Sequence, residues 1–379
     1  MDPHAPSTVD HAALRATIRR FVERELAPNV DRWEEAKSFP RELYLRAGAV
    51  GLLGVGFPEA YGGTPADHAA GLVVAEELAR AGAGGLSAGL MSHTIATPPI
   101  VALGSEALKA RLVPPTLRGE LVAALGVTEP SGGSDVARLR TTARRDGDHY
   151  VLDGSKTFIT SGVRADYVTV AVRTGGPGME GLSLVVVEAG TPGFTRTPLE
   201  KMGWWCSDTA TLYFDGCRVP VANLVGEENQ GFLGIMLNFN KERLGLAATA
   251  YGFAKVCYDE AVAWARDRET FGRPLVKHQV IRHKLVDMAT ALAATRAFLY
   301  DVARSMDAGE SPVAELCMLK NHATHTLELC AKEAVQVLGG AGYIRGSKAE
   351  RVYRETKVVA IGGGAEEIMK DLAARQLGL

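Results

Sequence analysis

Residues 125–135 read LGVTEPSGGSD, and the period of the chain changes on either side of them. Upstream, apolar residues recur at helical spacing: Leu14, Ile18, Phe21, Val22 and Leu26 fall three and four apart and make one stripe along a helix. Residues 41–50 and 69–81 repeat the pattern, and Pro58 and the Gly62-Gly63 pair break the chain between them. Downstream, β-rich runs take over at 150–152, 167–172, 182–188 and 209–214, punctuated by Asp-Gly pairs at 146–147, 153–154 and 215–216. About six short strands with such turns predict a small barrel or sandwich. Helix-forming composition returns over 231–267, 277–307, 312–338 and 365–376. The expected fold class is therefore α+β and multi-domain. An N-terminal α-helical domain covers 1–120, a middle β-domain 121–230, and a C-terminal four-helix bundle 231–379.

Composition narrows the function. The chain is 46% hydrophobic and 23% charged, which is globular, and its net charge of -2 with no long basic run argues against nucleic acid or an anionic membrane as the main partner. Five cysteines with no CxxC or Cys/His spacing predict reduced thiols and no metal site. The start, MDPHAPSTVD, lacks the basic-then-apolar order of a secretory signal. No apolar run reaches the ~18 residues of a membrane span. A cytoplasmic location is the expectation.

Four stretches carry residue types suited to binding a flat, phosphorylated ligand. Gly132 and Gly133 permit close backbone approach, with the hydroxyls of Thr128 and Ser134 beside them. In Phe158-Ile159-Thr160-Ser161-Gly162 an aromatic side chain and a threonine stand ready to flank a conjugated ring and bond its edge. Arg268-Glu269-Thr270-Phe271-Gly272, with Gln279 further on, offers a fixed cation for pyrophosphate. Residues 336–343, QVLGGAGY, end a helix in a glycine-rich turn. Taken singly, each also reads as an ordinary loop, strand end or helix cap.

Together with PEAYGG at 58–63, KMGWWCSDTATLYFDGCRVP at 201–220 and IGGGAEEIM at 361–369, these stretches resemble the acyl-CoA dehydrogenase family over essentially the whole chain. The resemblance implies that family's fold, a homotetramer built as a dimer of dimers, and FAD bound between the β-domain and the C-terminal helices. It implies that the flavin ring meets Leu125, Val127, Thr128, Phe158, Ile159 and Thr160, with Thr160 near N5 and Ser134 beside both cofactor and CoA. Phe158 stands where many relatives carry tryptophan. Arg268, Phe271, Gln279, Gln336, Gly339 and Gly340 would reach the FAD of a neighbouring subunit. Ala365 and Glu367 fall at further FAD-contacting positions, Ala365 replacing a common threonine. The implied reaction converts a saturated acyl-CoA to a trans-2-enoyl-CoA in fatty acid β-oxidation, with electron-transfer flavoprotein as the acceptor.

The reaction needs a carboxylate in a dry cavity to remove the Cα proton, and donors where charge develops on the thioester oxygen. Many relatives carry that glutamate just before a glycine in the C-terminal segment; here Gly363, within Ile361-Gly362-Gly363-Gly364, falls on the position. Relatives of the isovaleryl and long-chain type place it on a C-terminal-domain helix, and Glu242 in Asn240-Lys241-Glu242-Arg243-Leu244 matches them. The resemblance then puts Asn240, Arg243, Gly363 and Gly364 along the substrate path. Glu366 and Glu367 are rival bases by proximity, though carboxylates at a helix start read first as favouring the dipole. The competing functions are a flavin-dependent oxidase or monooxygenase on the same fold, and a non-catalytic scaffold.

Overall fold

A computed structural model describes residues 9–379, the side chains of 237 and 238 excepted. Most of the N-terminal stretch weighed above as a leader, residues 1–8, lies outside the described residues.

The first part of the chain is helical. Helix α1 (His11–Phe21) starts where the Asp10 carboxylate accepts the amides of Ala12 and Ala13. It is followed by a π-turn over Val22–Leu26, so the stripe expected as one helix changes pitch midway. Then come α2 (Val30–Glu35), α3 (Glu42–Ala49) and α4 (His68–Ala79), the last capped by Asp67. The segment bearing Pro98-Pro99 is broken into α5 (Gly84–Leu90), α6 (His93–Ala96) and α7 (Pro98–Leu103). Helix α7 begins at Pro98, where a missing N–H costs nothing. Helix α8 (Glu106–Leu117) closes the set.

The middle of the chain is one eight-stranded sheet: β1 (Ala123–Gly126), β2 (Thr142–Asp146), β3 (His149–Thr160), β4 (Tyr167–Arg173), β5 (Leu182–Glu188), β6 (Phe194–Pro198), β7 (Thr209–Pro220) and β8 (Leu224–Val225). The path runs β6-β7-β3-β2-β4-β5-β8, with β1 parallel to β4. The sheet folds over a core of its own that includes Tyr150, Leu152, Val170, Val185, Phe194 and Leu212. Its other face, with Tyr167, Ala171, Leu184 and Val186, packs with Ile100, Leu112 and Ile235 of the helices on either side. The count exceeds the six strands expected from sequence. Strand β1 is alanine-rich and β2 is polar and mostly exposed, so neither shows a strand's alternation of apolar residues.

The last part is built on α9 (Gly231–Asp267), a helix of 37 residues. After it come the short pair β9 (Glu269–Thr270) and β10 (Arg273–Pro274), then α10 (Gln279–Asp307) and α11 (Val313–Leu338). The single turn α12 (Gly340–Tyr343), α13 (Lys348–Ile361) and α14 (Glu366–Gln376) follow. Helix α13, capped by Ser347, adds a long helix to the four segments read from sequence, and it packs on α9 and α11.

The three parts meet at one buried junction. The Glu355 carboxylate on α13 accepts the amide of Gly84 at 2.8 Å and that of Trp204 at 3.0 Å. Glu34 on α2 accepts the Cys206 amide at 3.0 Å. Among the described residues no single helix is long and apolar enough to cross a membrane, and no cluster of His, Cys, Asp and Glu has metal-site geometry.

Candidate active site

Two of the predicted stretches are joined side by side. The Thr157 amide donates to the Thr128 carbonyl at 2.9 Å, and Lys156 Nζ donates to the Val127 carbonyl at 3.0 Å. The same ammonium lies 2.8 Å from Glu129, whose carboxylate also accepts the amides of Arg140 and Thr141. This knot is buried, with Lys156 wholly screened from solvent. It holds the loop after β1 against the end of β3 and makes one wall of them; Ile159, by contrast, is buried in the sheet's own core, apart from the cluster that holds Leu125 and Val127.

Along that wall the pairing of β3 with β7 slips between Lys156 and Ile159. In the slip Phe158 takes a φ of 62°, a left-handed conformation rare for an aromatic residue, and its side chain is 70% exposed. A large apolar ring pushed into the open at a conformational cost marks a surface awaiting a ligand. Half-buried Leu125, Thr128 and Thr160 complete a face with apolar bulk and two hydroxyls. Gly133 lies under Thr128, where a Cβ would stand 3.3 Å from the Thr128 methyl, whereas Gly132 faces open space. These features fit the ring of a flavin. Ser134 is exposed further out on the same loop.

The second wall is α9. Ile235, Met236 and Phe239 share one apolar cluster with Leu125 and Val127, which brings the helix against the loop. Glu242 follows within one turn. Its Oε2 is shut off from solvent and has no hydrogen-bond partner among the described residues. Burial pushes its pKa up to about 7, and the nearby charges of Arg243 and Lys320 keep it from rising further. Gly363 sits opposite with a φ of 66°. A Cβ there would collide with Leu246 Cδ1 and stand 3.8 Å from Glu242 Oε1. The vacated position and the helix glutamate therefore address the same space, and a side chain at 363 would contend with Leu246 for it. Arg243 is 7% exposed, bonds Asn240 Oδ1 at 3.2 Å and lies over the Phe239 ring. Glu366 is drawn off by Lys370 and by His325, which bond its carboxylate and hold its pKa well below the usual range. Glu367 is exposed on the same first turn.

The other predicted residues fall into two groups. Gly364, with a φ of 112°, and half-buried Ala365 adjoin Gly363 on the turn into α14. Arg268, Phe271, Gln279, Gln336, Gly339 and Gly340 lie elsewhere, at the end of the bundle where α9 and α11 finish and α10 begins. Glu242 and Arg268 are 26 positions apart along α9, about 39 Å of helix. One chain thus holds the two groups at separate places. Phe271, 97% exposed with a φ of 51°, repeats the unusual combination found at Phe158.

Lys320 and Asn321 on α11 went unread in the sequence. Lys320 is wholly buried beside Glu242 and donates to the carbonyls of Ala360 and Gly364 at 2.5 and 2.7 Å; Asn321 Nδ2 donates to the Glu366 carbonyl at 3.0 Å. A lysine in a helical segment carries no sequence sign that it points inward. Glu129 was quoted within its motif without a role, and Lys156 was passed over.

Comparison with known proteins agrees with this geometry. Family models for the acyl-CoA dehydrogenase N-terminal, middle and C-terminal domains match residues 8–120, 124–217 and 229–378. An acyl-CoA dehydrogenase of Bacillus subtilis (strain 168) is 38% identical over 373 residues, covering 98% of each chain. The crystal structure of a putative acyl-CoA dehydrogenase from Mycobacterium smegmatis superposes with a TM-score of 0.96 at 50% identity, covering 98% of each chain. A glutaryl-CoA dehydrogenase of the same organism, in complex with FADH2, superposes with a TM-score of 0.91 at 28% identity, over 98% of this chain and 96% of that one.

Proposed function

The chain belongs to the acyl-CoA dehydrogenase family, and on that premise we propose that Glu242 is the base that removes the Cα proton of a saturated acyl-CoA, giving a trans-2-enoyl-CoA. The protein is a flavoprotein oxidoreductase that dehydrogenates acyl-CoA and uses FAD. The single observation that carries the assignment of the base is Glu242 itself: a carboxylate oxygen shut from water, without a hydrogen bond, against a glycine that leaves room for it. A carboxylate so placed is a stronger base than one in water, because burial penalises its charge.

Bound FAD supplies the oxidant, accepting the hydride that leaves Cβ. The wall of Leu125, Val127, Thr128, Phe158 and Thr160 would hold its ring and exclude water from one side. Glu242 takes the Cα proton onto its carboxylate from the α9 side. The Gly363 amide would donate to the thioester oxygen as negative charge develops there. Asn240, Arg243, Gly364 and Ser134 would line the way in for the thioester and pantetheine, and Ala365 and Glu367 would border the cofactor. The far group, Arg268, Phe271, Gln279, Gln336, Gly339 and Gly340, would serve the FAD of a second copy of the chain. The separation along α9 supports that division and a second copy of the chain; the homotetramer, a dimer of dimers, rests on the family resemblance. Electron-transfer flavoprotein is the proposed acceptor.

The test is anaerobic mixing of purified, yellow protein with butyryl-, isovaleryl-, octanoyl- and palmitoyl-CoA. At least one should bleach the flavin absorbance, and Glu242→Gln should slow that bleaching by ~10²–10⁴-fold while retaining flavin. A Glu242→Gln protein that bleached at the wild-type rate would overturn the assignment.

A further inference from the structure

The mechanism above leaves the buried cation Lys320 without a task. Lys320 projects from α11 into the protein with no solvent exposure, and its ammonium reaches across to the turn between α13 and α14. It is bound there by two main-chain carbonyls, those of Ala360 and Gly364, which bracket the three glycines. A neutral donor could satisfy a carbonyl at less cost, because burying an ammonium forfeits its hydration. The charged and titratable groups that face it are Arg243 and Glu242 on α9, Glu366 at the start of α14 and the Cys317 thiol on its own helix, while α13 presents the Ala360 carbonyl.

The turn needs holding. Gly363 and Gly364 both have positive φ, at 66° and 112°, and glycine gains the most freedom of any residue when released. Gly363 is also the residue whose amide faces the developing thioester charge in the mechanism above. A fixed oxygen site requires a fixed amide. The Lys320 charge is also felt at the base, where it favours the ionised carboxylate.

We propose that Lys320 is a positioning residue for the dehydrogenation: its ammonium pins the 361–364 turn at the site and, together with Arg243, supplies the positive charge against which Glu242 carries its negative charge. The role rests on the reading of Glu242 as the base. Loss of the cation makes the Glu242 carboxylate harder to ionise. The base acts only when ionised, so the acid limb of kcat/KM must move to higher pH.

The experiment compares Lys320→Met, which removes charge and donor, with Lys320→Gln, which keeps a donor without charge. Each is measured with whichever of the four acyl-CoAs the wild type turns over fastest. Both variants should shift the acid limb upward by roughly half a pH unit or more. Hydrogen exchange of the 362–364 amides should quicken most in Lys320→Met, with Lys320→Gln between it and wild type. A purely structural lysine would lower flavin content or Tm and leave the limb in place. Limbs coincident with wild type in folded, yellow variants would therefore overturn the proposal, as would unchanged exchange in the turn. Where neither variant folds, Lys320→Arg decides: it keeps the charge, so its limb must stay at the wild-type pH, and a displaced limb overturns the proposal. Glu242→Gln run alongside separates the two readings. If it remains active, the base is misassigned; if it is dead and the Lys320 limbs do not move, only the role of Lys320 falls.

Discussion

At the scale of single residues, the activity is set by a conflict between burial and charge at Glu242. Burial raises its pKa to about 7, and Arg243 and Lys320 oppose the rise. An ionised base is scarce below that value, so kcat/KM should climb as pH rises through about 7 and level off above it. A pH profile taken with the best acyl-CoA checks this. A limb at the pH of an ordinary exposed glutamate, near 4, would mean that the carboxylate is hydrated in the working enzyme. Loss of the carboxylate in Glu242→Gln should cost ~10²–10⁴-fold in rate, the usual worth of a positioned base. The sequence made Glu242 and Gly363 legible only as a pair. One helix glutamate says nothing, but a vacated glutamate position beside a supplied one does, and in the structure a Cβ at Gly363 would touch Glu242 Oε1 at 3.8 Å. Lys320 stayed hidden because a buried lysine and a solvated one are spelled the same.

At the scale of elements, the flavin-facing wall depends on the Lys156–Glu129 ion pair, which crosses from β3 to the loop after β1. Both side chains are buried, so removing one partner strands the other's charge without water. Lys156→Met should therefore cost about 3–5 kcal/mol in denaturant unfolding, well beyond the worth of a surface pair. A loss below about 1 kcal/mol would show that water reaches the pair. The elements that sequence missed were hidden for different reasons. Helix α13 buries Arg351, Glu355 and Thr356 along with Ala349, Val352 and Val359, so its inward face is not an apolar stripe. Strand β1, AALG, has helix-forming residues and becomes a strand through its parallel pairing with β4. By contrast β4 and β5, which are nearly continuous apolar runs, were legible because burial on both faces leaves that signature.

At the scale of the whole molecule, the three-domain junction and the division of the cofactor residues each make a prediction. Burial and the neighbouring Glu34 raise the pKa of Glu355 to about 8, although the Gly84 and Trp204 amides and Arg351 work against them. The folded protein therefore binds this proton more tightly than the unfolded chain, whose carboxyl titrates near 4.5. The junction's stability is full below about 4.5 and is lost as pH rises through about 8, and Glu242 titrates in the same sense. In Glu355→Gln, Tm should fall less between pH 5 and 9 than in wild type; parallel curves would show that Glu355 is ionised in the fold. The second prediction follows from the ~39 Å of α9 between Glu242 and Arg268. If each site takes its base from one chain and its Arg268 from another, then two inactive variants, Glu242→Gln and Arg268→Ala, repair each other in mixed assemblies. With equal co-expression and random pairing, half of the sites have an intact base and half of those face an intact Arg268. About a quarter of wild-type activity should return. If both groups served the same chain's cofactor, every site in the mixture would carry one lesion and no activity would return, because each chain holds one defect.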